Sequence, residues 1–149
     1  LEPVGLRYFN VFGPRQDPNG AYAAVIPRWI DAARSGRAAV IFGDGTATRD
    51  FCSVRNVVLA NLLAAATESP EAPGHVFNIA CGERTTLGEL LEKIQAVFAQ
   101  GVDIPVRREP PRPGDIPHSL ASVERAERVL GYRPHVSLEE GLREMAGAG

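Results

Sequence analysis

The opening stretch Pro3–Val11 (PVGLRYFNV) most constrains the fold of this chain, because it is rich in β-branched and aromatic residues and almost continuously apolar. A strand with one wet face alternates apolar and polar side chains, whereas a strand covered on both faces does not. The run therefore reads as a buried strand, Val4–Val11, of a parallel sheet. Parallel neighbours need crossover connections, usually helical, so helices should follow.

They are legible downstream. Phe12–Gly20 (FGPRQDPNG) is a loop by its Gly, Pro, Asn and Asp content. Ala21–Arg34 predicts a helix with Val25, Trp29 and Ile30 on one side, Pro27 near its start and Gly36 as its stop. Ala39–Phe42 is a short strand, Gly43-Asp44-Gly45 a turn, and Arg49–Val54 a further extended piece. Asn56–Thr67 is an Ala-, Leu- and Val-rich helix whose mostly apolar surface implies burial. Pro70–Gly74 breaks the chain before a strand at His75–Ala80. Thr86 and Glu89 have capping-box spacing and should open a helix with Leu87, Leu90, Leu91, Ile94, Val97 and Phe98 on one face. Ile104–Arg108 reads as a strand, and Glu109–Pro117 (EPPRPGDIP) is too Pro-rich for regular structure. Ser122–Leu130 is a helix with Ser122 as its cap and Gly131 as its end, and Ser137 with Glu140 opens a last short helix. The mixture argues an α/β or α+β fold.

Composition narrows the function classes. A length of 149 residues, 44% hydrophobic and 23% charged, suits one globular unit. A net charge of −2 gives no electrostatic case for nucleic acid or an anionic membrane as the main partner. No apolar run is long enough to span a bilayer and no signal peptide is apparent. Cys52 and Cys81 sit in apolar, strand-like surroundings, so packed thiols and a cytoplasmic setting are expected rather than a disulfide framework. The chain begins at Leu1, its only Met is Met145, and it enters a strand without preamble, which reads as a piece of a longer protein.

Three loops combine backbone freedom with a cation: Gly13-Pro14-Arg15, Gly43 through Arg49-Asp50, and Arg112-Pro113-Gly114-Asp115. Arg offers charge-assisted, often bidentate hydrogen bonds to phosphate oxygens, and Asp115 would accept from sugar or ribose hydroxyls. Two such loops brought together would hold a diphosphate; held apart, the same arginines are surface salt bridges, with Arg49 pairing to Asp50 or Asp44. His75, His118 and His135 are scattered, with no nucleophile motif around them, and the cysteines lack the close ligand pairs a metal needs. No Gly-x-Gly-x-x-Gly opens a helix. A Tyr-x-x-x-Lys pair is excluded, because Lys93 is the only lysine and Glu89 stands four residues before it.

Four motifs in order carry a resemblance. They are Leu6-Arg7-Tyr8-Phe9-Asn10-Val11-Phe12-Gly13-Pro14-Arg15; Gly43-Asp44-Gly45 with Arg49-Asp50-Phe51; Phe77-Asn78-Ile79-Ala80 with Gly82 and Thr86-Leu87; and Arg112-Pro113-Gly114-Asp115 with Leu130-Gly131-Tyr132 and Pro134. Together they resemble the NAD-dependent epimerase/dehydratase family, the extended short-chain dehydrogenase/reductases that act on nucleotide sugars. The stretch Arg15–Pro27 is most similar to the UDP-glucose and UDP-N-acetylglucosamine 4-epimerases. The resemblance implies an α/β fold in which residues 1–11 are one late strand of the Rossmann sheet. Residues 12–149 would be the small C-terminal substrate-binding part, the NAD-binding half lying outside this chain.

Residue by residue, the resemblance implies that Asn10 bonds the substrate near the sugar phosphate. Ala24 and Val25 would sit at a helix start close to the nucleotide, and Phe42 against the uracil. Arg49 and Arg112 would clamp the diphosphate and Asp115 would bind ribose hydroxyls. Ser119 would line the sugar pocket, leaving room for an N-acetyl group, and Phe9 would lie near the nicotinamide of NAD. The implied activity of the parent, a homodimer by family habit, is 4-epimerisation of a UDP-sugar through transient NAD-dependent oxidation at C4. The chain alone would be inactive. A UDP-glucuronate decarboxylase, a nucleotide-sugar 4,6-dehydratase or a non-catalytic nucleotide-sugar-binding module fits the same motifs. Ser53 and Arg55 depart from the family's usual aromatic and acidic residues, which puts the local packing there in doubt.

Overall fold

A computed structural model describes residues 2–20, 24–99 and 103–147 of the 149. Its opening strand is two strands. β1 (Gly5–Tyr8) pairs in parallel with β6 (Val76–Ile79), Gly5 opposite Val76 and Tyr8 opposite Ile79. β2 (Val11–Phe12) pairs in parallel with β5 (Cys52–Ser53). The single strand expected over Val4–Val11 breaks at Asn10, whose φ of 34° lies in the left-handed region that Asn tolerates better than most residues. Asn10 secures the break itself: its Nδ2 donates to Asp50 O at 3.0 Å, and its carbonyl accepts from Cys52 N–H at 3.3 Å. The kink lets one apolar run serve two different neighbours.

β3 (Ala39–Phe42) pairs in parallel with β8 (Val106–Glu109), and β4 (Thr48–Arg49) pairs antiparallel with β7 (Thr85–Thr86). The extended piece expected over Arg49–Val54 is therefore divided between β4 and β5, with Asp50 and Phe51 between them. The fold is mixed α/β with mostly parallel pairings, as the opening run implied.

The helices are α1 (Val25–Ser35), α2 (Val54–Ala66), α3 (Leu87–Phe98), α4 (Glu124–Leu130) and α5 (Leu138–Gly147). Of the helix start expected at Ala21, residues 21–23 lie outside the described set, and α1 is seen from Val25. Its stop is the expected one, Gly36 at φ 66°. α3 opens with a reciprocal cap, Thr86 Oγ1 accepting from Glu89 N–H at 3.1 Å and Glu89 Oε2 accepting from Thr86 N–H at 2.7 Å. Ser137 and Glu140 repeat the arrangement at α5. Ser122 is not a cap: Val123 holds that position in α4 without a side-chain bond, and the Ser122 carbonyl instead accepts from Asn78 Nδ2 at 3.2 Å.

Two apolar clusters result. One gathers Phe12, Ile26, Trp29, Ile41, Leu90, Ile94, Ile104 and Leu142 between α1, α3, α5 and β3. The other gathers Cys52, Val57, Phe77, Ile79, Val129 and Tyr132 around the β1–β6 pair. Both cysteines are free, Cys52 buried and Cys81 partly so, consistent with packed thiols. α2 corrects the burial expected of it: only Asn56, Val57 and Ala60 are buried, while Val58 is 54% and Leu62 64% exposed. The helix is apolar all round, but the described residues cover one side of it. Ser53 and Arg55 are well accommodated. Ser53 is buried and caps α2 by accepting from Arg55 N–H, and the Arg55 guanidinium ion-pairs with Glu144 on α5.

Candidate functional site

Strand alternation builds the site. Along β3, Ala39 and Ile41 point into the core, leaving Val40 and Phe42 to face a cavity of about 470 Å³. That volume is in the range of small-molecule sites. β8 adds Arg107 and Glu109, directly opposite Val40 and Phe42 in register. α1 contributes Ala24, Val25 and Arg28; β4 contributes Arg49; and the Pro-rich loop after β8 contributes Arg112 and Asp115. Asn10 also reaches the wall. Seven residues expected in a ligand site from sequence (Asn10, Ala24, Val25, Phe42, Arg49, Arg112 and Asp115) thus line one cavity. Phe9 and Ser119 do not line it. Phe9 donates its N–H to Ile79 O at 3.1 Å, and Ser119 donates its own to Thr48 O at 3.1 Å.

The cations are held in place. Arg49 Nη1 donates to Thr48 O at 2.9 Å, and Nη2 to Asp115 Oδ1 at 2.8 Å, with the side chain only 16% exposed. Arg49 therefore pairs with Asp115, 66 residues away, and not with Asp44 or Asp50. The Arg112 guanidinium lies 3.8 Å from the centre of the Phe42 ring, a cation–π contact that tethers the loop to β3.

The start of α1 differs from those of the other long helices. α2, α3 and α5 each satisfy first-turn N–H groups with their own Ser or Thr. α1 begins at Ala24, which has no side chain to offer, and carries no acid in its first turn. Its first-turn N–H groups at Val25 and Ile26, without a side-chain cap from Ala24 and at the positive end of the helix dipole, thus border the same cavity as Arg49 and Arg112. Uncapped donors and guanidinium groups converging on one concavity make a site for an anion, and the Phe42 ring adds a flat apolar surface beside it.

Two supports were not evident from sequence. Asp50 is fully buried and accepts from Cys81 N–H and Gly82 N–H at 2.9 Å each and from Ala121 N–H at 3.5 Å. Burial pushes its carboxyl up, against the pull of those backbone donors. It ties the Arg49 segment to the end of β6 and to the segment before α4. Trp29 Nε1 donates to Val40 O at 3.1 Å, docking α1 on β3. Arg28 and Arg107 were also missed. The signal for Arg107 was available in hindsight, since it shares β8 with the motif loop. Among the described residues no group of His, Cys, Asp or Glu has the makings of a metal site, and no helix is long and apolar enough to cross a membrane.

A sequence model of the NAD dependent epimerase/dehydratase family matches residues 1–80. The chain belongs to that family. It is 41% identical over 135 residues to a UDP-glucose 4-epimerase of Mycolicibacterium smegmatis, covering 89% of this chain and 41% of that protein. A solved UDP-glucose 4-epimerase of Thermotoga maritima, bound to UDP-glucose, is 40% identical with a TM-score of 0.86, over 96% of this chain and 44% of that one. A UDP-N-acetylglucosamine 4-epimerase of Methanobrevibacter ruminantium, solved with UDP-N-acetylmuramic acid, is 43% identical with a TM-score of 0.89, over 99% and 46%. The chain thus spans less than half the length of these relatives.

Proposed function

We propose that this chain is the nucleotide-sugar-binding part of a UDP-sugar 4-epimerase, residues 1–11 supplying a strand shared with the NAD-binding half of the whole protein. The observation that carries the reading is the convergence of the open α1 start with Arg49 and Arg112 on one cavity floored by Phe42. In this reading the diphosphate sits at Val25 and between the two guanidinium groups. The base lies on Phe42, Asp115 takes ribose hydroxyls with the oxygen that Arg49 leaves free, and Asn10 meets the sugar phosphate. Phe9 and Ser119 serve the nicotinamide and the sugar on the side of the site that this chain does not close by itself.

The family is NAD dependent, but the residues present do not fit a dinucleotide. The two direct strand-to-helix turns among the described residues, from β5 into α2 and from β7 into α3, spend their caps on Ser53 and Thr86, and neither carries a Gly-x-Gly-x-x-Gly run. Lys93 ion-pairs with Glu139, and no tyrosine precedes it by four residues. The role assigned to this chain is therefore to bind and orient the substrate, and the isolated chain is expected to show no epimerisation. The whole protein is proposed to be a homodimer assembled through the portion lacking here.

Titration with UDP tests the reading. The chain should bind UDP, and Arg49→Ala or Arg112→Ala should each weaken it about tenfold or more, the worth of a charge-assisted hydrogen bond. Unchanged affinity in both variants would sink the diphosphate assignment. A decarboxylase of the same family is the second reading. A UDP-N-acetyl-alpha-D-glucosaminuronate decarboxylase of Bacillus cytotoxicus is 32% identical over 93% of this chain. Assay of the full-length protein with UDP-glucose and with a UDP-uronate, following epimer formation against carbon dioxide release, separates the two.

A further inference from the structure

Arg112 and Asp115 reach the cavity from an exposed Pro-rich loop that ends at Pro117. The Arg112 guanidinium rests on the Phe42 ring. A turn shapes the middle, with Asp115 N–H donating to Arg112 O at 3.1 Å and Gly114 at φ 79°. The end of the loop is held by Thr48 of β4. Thr48 N–H donates to Pro117 O at 2.9 Å, and Thr48 O accepts from Ser119 N–H at 3.1 Å. These two bonds make a single parallel bridge between Thr48 and His118, outside any longer ladder. One side-chain contact adds to it. Thr48 Oγ1 and His118 Nδ1 lie 3.1 Å apart, a hydrogen bond whichever of the two carries the proton. Thr48 is buried and His118 exposed, and neither lines the cavity.

We propose that His118 is a positioning residue for the nucleotide: its bond to Thr48 clasps the end of the loop onto β4 and so orients Arg49 and Asp115. The inference rests on the reading of the cavity as a nucleotide site. Three oxygens accept from the Arg49 guanidinium. Nη1 donates to Thr48 O at 2.9 Å and to Pro117 O at 3.4 Å, and Nη2 donates to Asp115 Oδ1 at 2.8 Å. Two of the three therefore belong to the loop, and one of them is the residue next to His118. If the end of the loop lifts from β4, Arg49 loses both and Asp115 leaves the cavity wall with it. Each backbone bond of the bridge is worth only about 1 kcal/mol net, so two of them hold an exposed segment weakly. They form whatever side chain stands at position 118, whereas the third bond depends on the imidazole. A ligand that binds only the clasped form loses affinity in proportion to the fraction of molecules that are unclasped.

Calorimetric titration of the purified chain with UDP tests the clasp. His118→Ala should weaken binding about fivefold, the worth of one neutral hydrogen bond. His118→Asn, whose amide places a polar atom where Nδ1 stands, should restore most of the affinity. Thr48→Val removes the other half of the bond at nearly the same shape and should match His118→Ala. The two changes together should cost no more than either alone, because they break one contact. Thr48→Ser keeps the hydroxyl and should bind as the unmodified chain does. Unchanged affinity in His118→Ala overturns the inference while the site stands. Failure of His118→Asn to restore binding overturns it as well. So does a loss in His118→Ala that Thr48→Val does not share, which would put the imidazole on the ligand itself. Absence of UDP binding by the unmodified chain overturns the nucleotide reading together with the inference. His118 is exposed, so its two variants should keep the thermal transition of the parent. If Thr48→Val lowers that transition, the pair at position 118 decides the matter alone.

Discussion

Asp50 shows how much one side chain can hold together. It contacts no cavity, yet its carboxylate collects backbone donors from Cys81, Gly82 and Ala121, all far from it in sequence. Replacing it with Asn removes one acceptor oxygen and sets an N–H₂ group against a backbone N–H. The expected cost of Asp50→Asn is about 1–3 kcal/mol, the penalty of a buried donor left unmade. Urea unfolding measures it, and an unchanged midpoint would show that the donors find other partners. Asn56 does comparable work from α2. Its Oδ1 accepts from His135 N–H and Val136 N–H, and its Nδ2 donates to Val136 O at 2.8 Å. Cys52 Sγ and Tyr132 Oη form a sulfur–hydroxyl contact nearby, where burial drives the tyrosine hydroxyl up and Tyr132 Oη donates to Ala80 O at 2.8 Å.

At the scale of elements, the helix starts divide the labour. Glu89 and Glu140, each bonded to the N-cap residue of its own helix, have carboxyl groups held below the ordinary 4.5 by backbone and side-chain donors at Thr86 and Ser137. A carboxyl lowered in the folded state adds stability above its unfolded value, and that stability is lost as pH falls through the folded one. Stability should therefore drop as pH falls below 4.5, the window these two groups set. Asp50, raised above 3.8 by burial, works in the opposite sense and blunts the fall. Glu89→Gln with Glu140→Gln keeps both caps but does not titrate. Thermal melts at successive pH values should show a flatter acid limb for the pair and little change near neutrality. An acid limb as steep as that of the parent chain would mean other carboxylates set it. α1 has no such side-chain cap at Ala24.

At the scale of the molecule, the β1–β6 pair and the outer face of α2 lie at one side, where Tyr8, Val58, Leu62 and Val76 are exposed. Apolar residues at this density on one helix face favour association. The chain is expected to self-associate at high concentration. Val58→Gln with Leu62→Gln should suppress this in size-exclusion chromatography without lowering the melting temperature, since neither side chain is buried. A drop in melting temperature would place these residues in a packed interior instead. Local patterns determined much of the rest. The caps of α3 and α5, the stop at Gly36 and the strands at β3 and β6 depend on a few adjacent residues, and they stood in the sequence where the structure has them. The ordered motifs likewise contained Asn10, Arg49, Arg112 and Asp115, which the structure brings to one cavity wall. Tertiary structure decided what depends on distant partners. The apolar run at the start became two strands because Asn10 turns between Asp50 and Cys52, and α2 stayed half exposed because helical periodicity does not say which side has a neighbour. Arg49 found Asp115 rather than a nearby acid, Arg107 joined the cavity through the β3–β8 register, and Arg28 joined it through the docking of α1 on β3. Contacts between residues this far apart leave no periodic trace in the chain, because the fold alone brings them within reach.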